Sequence, residues 1–340
     1  MLVFAVETSC DETSVCILNK DKKILSHITY SQEEHRKFGG VIPELASRAH
    51  LQILQKISKN ALIEANIDIN DIDIFCSTCG PGLIGGLLVG STFTKSLAIG
   101  LNKPFVPINH LEGHLLSTTF NNKVKYPYIA FLLTGGHTQI YLIKSINNYI
   151  LLGETLDDAV GEAFDKVAKL LKMPYPGGPE IENKAKSGNK SAFDLPHPLH
   201  KNKSLNFSFS GIKTAINLIV SKNKNIDEKF ISDVAASFQE IVIKIIESKF
   251  LLTLEYLKKR KINISQISLV GGVAANQFIY EKIKKIAHDH TCSIIMPPKY
   301  MLSDNAAMIG WACIQKYLLN GFSDLYFKAN PRLTIKDGNE

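Results

Sequence analysis

Apolar and polar positions alternate along the chain in two distinct patterns. Short apolar runs predict four strands in the first third, at residues 3–6, 14–18, 72–77 and 104–108. Apolar residues at helical spacing predict helices at residues 51–65, 83–97 and 109–120, the last with Asn109 as its N-cap. Strands that alternate with helices in this way indicate an α/β fold.

The same pattern begins again after a polar link. Residues 128–133 and 139–144 predict two strands joined by a polar turn at 134–138, and the first two strands are joined by a polar turn at 7–13. A strand, a hydroxyl-rich turn and a returning strand therefore start each half, which indicates an internal duplication. The backbone N–H groups and hydroxyls of such turns can hold phosphate.

The second half continues with helices and with a strand–turn–helix unit of the kind that binds nucleotides. Residues 157–261 are rich in helical patterns. A strand at 267–270 is followed by Gly271 and Gly272 and by a helix at 275–287, a unit whose glycines let a nucleotide approach the backbone. A last helix follows Ser303, which we predict to be its N-cap.

We therefore expect the actin, Hsp70 and sugar-kinase (ASKHA) architecture, with two related α/β lobes and a ligand cleft between them. The predicted first lobe spans residues 1–122, and a C-terminal helix over 304–330 packs back on it. The predicted second lobe spans 123–303 and contains the helical insertion at about 157–261.

Length and composition agree with an ordinary globular enzyme. The chain has 340 residues, enough for two domains, and 45% of them are hydrophobic and 21% charged, which excludes disordered and fibrous classes. We find no stretch of about 18 uncharged apolar residues and no signal-peptide pattern, so we expect a cytoplasmic protein without a membrane span.

The sharpest chemical signal is the pair His110 and His114. Residues four apart share one helix face, so both imidazoles can point at one metal ion, and the helix N-terminus should keep them neutral. Glu112 lies about 200° round the helix from that face, which argues against a zincin-type protease. Spacing does not identify a third ligand, although Asp304, at a strand-to-helix junction, is a candidate.

Two further sets of residues are open to a functional and to a structural interpretation. Glu7, Asp11 and Glu12 could hold a metal or act as a base, or could form a solvated hairpin tip. The insertion is rich in basic residues that form either a phosphate-binding rim or a solvated face, namely Lys184, Lys186, Lys190, Lys201, Lys203, Lys222, Lys224, Lys258, Lys259, Arg260 and Lys261.

Taken together, these segments resemble the TsaD family, also called Gcp or YgjD, the tRNA adenosine threonylcarbamoyltransferases. The resemblance covers essentially the whole chain. Its motifs stand in the family's order at residues 7–13, 40–50, 80–83, 110–114, 134–138, 161–166, 175–179, 207–214, 271–276 and 303–305.

The resemblance implies specific site residues. It implies one divalent metal ion, iron or zinc, held by His110, His114 and Asp304, and it places the catalytic acids Asp11 and Glu12 near the reaction centre. The adenylate contacts that it implies are Leu132, Leu133, Thr134, Gly135, Gly136, Asp165, Gly178, Glu182 and Asn276.

The implied reaction moves a threonylcarbamoyl group from threonylcarbamoyl-AMP to the exocyclic amine of the adenosine 3′ of the anticodon, in tRNAs reading codons that begin with A. The implied partners are tRNA, a paralogous TsaB-like ASKHA protein and a small TsaE-like ATPase. The main alternative is a small-molecule carbamoyltransferase of the same fold. A sugar kinase would not need the histidine pair, Glu112 is misplaced for a metalloprotease, and a non-catalytic scaffold would not need the ligand set.

Overall fold

The computed structural model describes residues 1–223 and 225–335, and these divide into two compact units. The first unit contains residues 1–123, residues 146–148 and the described residues from 297 on. The second contains the described residues of 124–145 and 149–296. Within the described residues, no helix is long and apolar enough to cross a membrane.

The elements alternate as the apolar pattern predicts. The strands are β1 (Leu2–Glu7), β2 (Glu12–Asn19), β3 (Ile24–Ser31), β4 (Ile74–Gly80), β5 (Phe105–Asn109), β6 (Tyr128–Leu133), β7 (Thr138–Ser145), β8 (Asn148–Glu154), β9 (Gln266–Val270) and β10 (Ser293–Ile295). The α-helices are α1 (Pro43–Ala65), α2 (Ile84–Gly100), α3 (His110–Ser117), α4 (Val160–Leu170), α5 (Gly177–Ala185), α6 (Ser210–Lys222), α7 (Glu228–Lys259), α8 (Gln277–Asp289) and α9 (Ala306–Asn320).

Each unit is built on a five-stranded mixed sheet, and the two sheets have equivalent strand orders. The first sheet is ordered β3-β2-β1-β4-β5 and the second β8-β7-β6-β9-β10. In each, the first two strands form an antiparallel hairpin, and the first strand also pairs in parallel with a later one, β1 with β4 and β6 with β9. The internal duplication predicted from the two hairpins is confirmed.

Three strands, β3, β8 and β10, were not predicted. Each lies at the edge of its sheet and has a weak apolar pattern. β3 lies at one edge and is largely exposed toward its end, and β10 has only three residues at the other sheet's edge. β8 alternates buried and exposed positions irregularly. Edge strands bury little apolar surface, so their hydrophobic pattern is faint.

Several predicted helix boundaries were wrong. α1 begins at Pro43 rather than at residue 51. Proline suits the first helical turn, and the exposed Glu44 and Arg48 weaken the apolar pattern there. The last helix, Ala306–Asn320, agrees with the apolar pattern over about 304–319 and is shorter than the C-terminal segment 304–330 assigned to the first lobe. Its N-cap is Asn305, not Ser303, because the Asn305 side chain accepts from the Met308 N–H, and Gly321 ends it with a left-handed backbone, φ 63°.

Helix α9 packs against β1, β2 and α3 of the first unit. Gly310 makes this close approach possible, since a Cβ there would lie 2.3 Å from Leu18 Cδ2 and 3.0 Å from Ala5 Cβ. The Trp311 indole N–H donates to Thr119 Oγ1 at 2.8 Å. Helix α9 is therefore part of the core that holds the first sheet.

We expect Gly310→Ala to lower the free energy of unfolding of the first unit by about 1–3 kcal/mol, because the added methyl overpacks the interface between α9 and the sheet. Trp311 is the chain's one tryptophan and adjoins the change, so urea denaturation followed by its fluorescence reports on this unit. The matched control is Gly100→Ala at the end of α2, where a Cβ meets nothing within 4 Å. Equal unfolding midpoints for the two variants would contradict this packing.

Candidate metal centre and nucleotide-binding turns

The two predicted histidine ligands lie in the first turns of α3. The Asn109 side chain caps this helix by accepting from the N–H groups of Leu111 at 2.9 Å and Glu112 at 3.3 Å. His110 and His114 are both buried, and their ring centroids lie 4.9 Å apart. The cap fixes where the helix starts, and the start fixes the face on which both imidazoles stand.

Asp304 completes the cluster from the other end of the chain. Its Oδ1 lies 3.3 Å from Nε2 of His110 and 3.0 Å from Nε2 of His114, and the three ligand atoms lie within 4.8 Å of one another. The segment is held in place because the Ala306 N–H donates to the Ser14 hydroxyl of β2 at 3.0 Å. Two imidazole nitrogens and one carboxylate oxygen suit zinc or iron(II), with coordination positions left for substrate.

Glu7 is the residue that sequence reasoning failed to assign to this cluster. Its Oε2 accepts from His110 Nδ1 at 3.1 Å and from the Thr78 hydroxyl, and its Oε1 accepts from the Ser9 N–H at 2.6 Å. An ionised carboxylate only accepts, so Nδ1 of His110 carries a proton and Nε2 faces Asp304. A carboxylate behind a histidine in this way orients the ring for a metal. The available signal was its place at the end of β1.

The charges of this cluster favour a cation. Burial raises the pKa of Glu7, but the neighbouring His110 has the larger combined effect and holds that pKa below its usual value. Burial also raises the pKa of Asp304, but His110 and His114 together hold it well below its usual value. Burial lowers the pKa of His114, which favours its neutral ring. Two carboxylates beside two imidazoles suit a divalent cation, which would replace the proton on Nε2 of His110.

The carboxylates around His110 act against the expected effect of the helix N-terminus, which favours a neutral ring. Burial opposes protonation of His110, but the carboxylates of Asp304 and Glu7 outweigh it and hold the pKa of His110 well above the usual value. The helix dipole acts weakly compared with two carboxylates in hydrogen-bonding distance. The sequence did not show that both acids meet the same ring.

Glu112 lies away from the ligand atoms, as its helical position predicts. Its Oε2 forms a salt bridge with Lys316 Nζ of α9 at 2.6 Å. This carboxylate ties α3 to α9 and is not available as the general base of a zincin-type protease.

The predicted acids Asp11 and Glu12 lie at the tip of the first hairpin, outside the three-ligand cluster. Both side chains are partly buried. Burial and the neighbouring Asp11 raise the pKa of Glu12 well above its usual value, and Asp304 adds to this. The arrangement gives a carboxyl group that holds a proton at higher pH than an ordinary glutamate.

The β6–β7 turn of the second unit contains backbone groups that no side chain covers. The turn is closed by Thr134, whose hydroxyl accepts from the His137 N–H at 2.9 Å. Gly135 and Gly136 are exposed, and a Cβ on either would meet nothing within 4 Å. Gly271 lies against the start of the same turn. Its φ is +94°, and a Cβ there would lie 2.4 Å from the Leu133 carbonyl oxygen. Only glycine fits this close approach.

Three other predicted contact residues have structural roles in the second unit. Asp165 Oδ1 accepts from the Gly177 N–H at 2.7 Å, and Glu182 Oε1 accepts from the Gln277 N–H at 2.8 Å. Asn276 caps α8 and also donates to Gln239 Oε1 at 3.0 Å. These side chains fix the N-terminal ends of α5 and α8.

The remaining predicted contacts stand beside them. Leu132 and Leu133 are buried at the end of β6, and Gly178 lies in the first turn of α5 with open space where a Cβ would be. Backbone N–H groups at helix starts next to uncovered glycines are suited to phosphate and to a planar base.

Comparison with known proteins gives a consistent result. A family model described as TsaD, tRNA N6-adenosine threonylcarbamoyltransferase, matches residues 23–311. A protein of that name from Wolbachia pipientis wMel is 45% identical over 334 residues, 98% of each chain. Another from Rickettsia bellii (strain OSU 85-389) is 42% identical over 337 residues, 98% of this chain and 99% of its own.

Solved structures are similar in fold at low sequence identity. HypF from T. kodakarensis has a TM-score of 0.64 and 12% identity over 95% of this chain and 49% of its own. The activator of 2-hydroxyisocaproyl-CoA dehydratase from Clostridium difficile has a TM-score of 0.53 and 14% identity over 95% and 99%. The predicted ASKHA-type α/β fold class is confirmed.

We expect Glu7→Gln to weaken the binding of zinc or iron(II) by about 10–100-fold, because the amide loses the charge that orients His110. Metal affinity of the full chain is measured by competition with a chelating dye. The matched control is Glu64→Gln, which removes an exposed carboxylate from α1. An affinity equal to that of the unchanged chain would show that Glu7 has no part in the metal centre.

Proposed function

Since the chain belongs to the TsaD family of tRNA N6-adenosine threonylcarbamoyltransferases, we propose that it transfers the threonylcarbamoyl group of threonylcarbamoyl-AMP to the exocyclic amine of the adenosine 3′ of the anticodon. The acceptors are tRNAs that read codons beginning with A. The observation that supports this most directly is the convergence of His110, His114 and Asp304, because it provides a metal-ligand set inside the matched region.

The reaction exchanges one bond to the carbamoyl carbon for another. The adenosine amine forms a bond to this carbon, the bond from carbon to the phosphate oxygen of AMP breaks, and AMP leaves with the electron pair. The amine loses one proton. It is a poor base and nucleophile, so a large part of the rate must come from positioning.

The second unit is proposed to hold the adenylate. Gly135, Gly136 and Gly178 leave backbone uncovered, and the ends of α5 and α8 are fixed by Asp165, Glu182 and Asn276. Backbone donors of this kind bind phosphate without requiring a lysine or a Walker-type loop. The side chains then act mainly by keeping the turns rigid.

The histidine pair and Asp304 are proposed to hold a divalent iron or zinc ion. Such an ion supplies Lewis acidity and a template for the carbamoyl carbonyl or the threonyl group. Glu7 keeps Nε2 of His110 directed at the site, and Asn109 keeps both rings on one face. Asp304 is the ligand that substrate can approach, since a quarter of its side chain is exposed while the histidines are buried.

Glu12 is the proposed acceptor of the amine proton. Its raised pKa brings it closer to neutral pH, where a general base is most effective. Cys10 beside it is not a competing nucleophile, because burial and the neighbouring acids raise the pKa of its thiol well above the usual value and disfavour the thiolate.

The tRNA must present its target base out of the stack, which a single-stranded anticodon loop allows. We propose that the chain works in the cytoplasm with a TsaB-like paralogue and a small TsaE-like ATPase, as the family resemblance implies.

The chain, given those partners, threonylcarbamoyl-AMP and a tRNA that reads codons beginning with A, is expected to produce modified adenosine, detected by mass spectrometry of digested nucleosides. His110→Ala is expected to produce none, and His288→Ala, at an exposed histidine, is the matched control. Absence of product from the unchanged chain with active partners would overturn the proposed reaction. Product from His110→Ala would leave the reaction in place and overturn the role of the metal centre.

Glu12→Gln is expected to slow transfer by about 10²–10⁴-fold without preventing tRNA or metal binding. In the unchanged chain the rate should rise with pH through the raised pKa of Glu12, because the base acts only after losing its proton. That limb should be missing from the pH–rate profile of Glu12→Gln in single-turnover measurements. A variant with the same rate and the same limb would rule out Glu12 as the base.

A further inference from the structure

An open surface cavity of about 610 Å³ lies in the second unit, and its lining includes two lysines of the basic set predicted in the insertion. It is lined by His197, Leu199, His200, Lys201, Asn202 and Lys203. This segment connects α5 to α6 within the helical insertion. Four of the six lining residues carry basic side chains and none is acidic, so the cavity has one sign of charge.

Lys201 and Lys203 of this cavity are not held in salt bridges with described residues, whereas two other lysines of the insertion are. Lys184 forms a salt bridge with Glu228, and Lys259 pairs with Glu255 at 2.6 Å. Lys201 and Lys203 are exposed, and among the described residues neither has a carboxylate within salt-bridge distance. Lys224, also expected in the basic set, lies outside the described residues.

His197 has a ring nitrogen that the protein leaves unused. Its Nε2 is buried and has no hydrogen-bond partner in the structure. Its ring lies 4.5 Å from that of His200, centroid to centroid. Burial lowers the pKa of His197, and the charged groups that lower it further, His200, Lys249 and Lys244, are all basic. Because a buried unpartnered nitrogen is costly, a shift of the loop that exposed an Nε2–H of His197 to an anion would gain a hydrogen bond.

A buried lysine lies beneath the same loop. Lys249 of α7 is completely buried, and its Nζ donates to the carbonyl oxygens of Ser204 at 2.8 Å and Leu199 at 3.5 Å. One acceptor is a lining residue and the other directly follows the lining segment, so the ammonium group holds the loop and adds a positive charge behind it. Leu199 has a left-handed backbone, φ 55°, which shows that the loop is held in a strained shape.

We propose that this cavity is an anion site that binds backbone phosphates of the tRNA substrate. The inference rests on the proposed function, because it assigns part of the tRNA surface contact. Exposed lysines beside an unfilled hydrogen-bonding nitrogen suit the repeated phosphates of a polymer. A small phosphate ligand would instead be enclosed by backbone N–H groups, as at the start of a helix.

The first test compares tRNA binding by the full chain and by Lys201→Ala/Lys203→Ala in a salt titration from about 50 to 200 mM. The double variant is expected to bind tRNA about 10–100-fold more weakly at low salt, with a slope of log affinity against log salt smaller by about two. Lys284→Ala/Lys285→Ala removes the same charge from an exposed face of α8 and is the matched control. Equal losses in the two variants, or no loss in either, would overturn the proposal.

The second test uses the unchanged chain and does not depend on any variant folding. Saturating tRNA is expected to protect His200 from histidine acylation, read by peptide mass spectrometry, while the exposed His288 remains reactive. Unchanged reactivity of His200 would overturn the proposal.

Transfer assays separate this inference from the proposed function. The loop variant should regain the full transfer rate at saturating tRNA, which is a change in KM and not in kcat. If the unchanged chain binds tRNA through this loop but transfers nothing, the anion site stands and the proposed reaction fails. If it transfers normally and the loop variant behaves like the control, the proposed reaction stands and the anion site fails.

Discussion

The hydrogen bond between His110 and Glu7 is the contact on which the proposed metal centre of the first unit depends. It joins the last residue of β1 to the first residue of α3 and determines which nitrogen of His110 faces Asp304. Thr78 of β4 donates to the same carboxylate, so three separate elements fix one ring. Removing the charge of Glu7 would leave the histidine in the cluster without the group that orients it.

The packing of α9 serves the same centre from the other side. Gly310 lets this helix lie close to the sheet, and a Cβ at Gly113 would lie 2.8 Å from Ile309 Cδ1, so α3 and α9 also meet closely. The N-cap Asn305 starts α9 immediately after Asp304. Close helix packing and ligand placement therefore depend on the same small residues.

The two units use one topology for different chemistry. Both have a hairpin whose first strand also pairs in parallel with a later strand. In the first unit the hairpin turn carries the acids Asp11 and Glu12, whereas in the second it carries Gly135 and Gly136. A turn with carboxylates can hold or move a proton, and a turn of bare backbone can receive a phosphate. The two units share the scaffold and differ in the residues of the turn, which is the basis of the different roles proposed for them.

The sequence by itself determined the fold class, the duplicated hairpins and the pairing of His110 with His114, because these depend on local periodicity and on motifs readable along the chain. It did not determine the edge strands or the start of α1, whose apolar patterns are weak. Only the tertiary structure brought Asp304 and Glu7 to the same imidazole, where the two carboxylates raise the pKa of His110. It also placed Lys249 beneath the loop at His197. Contacts between residues far apart in sequence follow from chain packing, which no local spacing records.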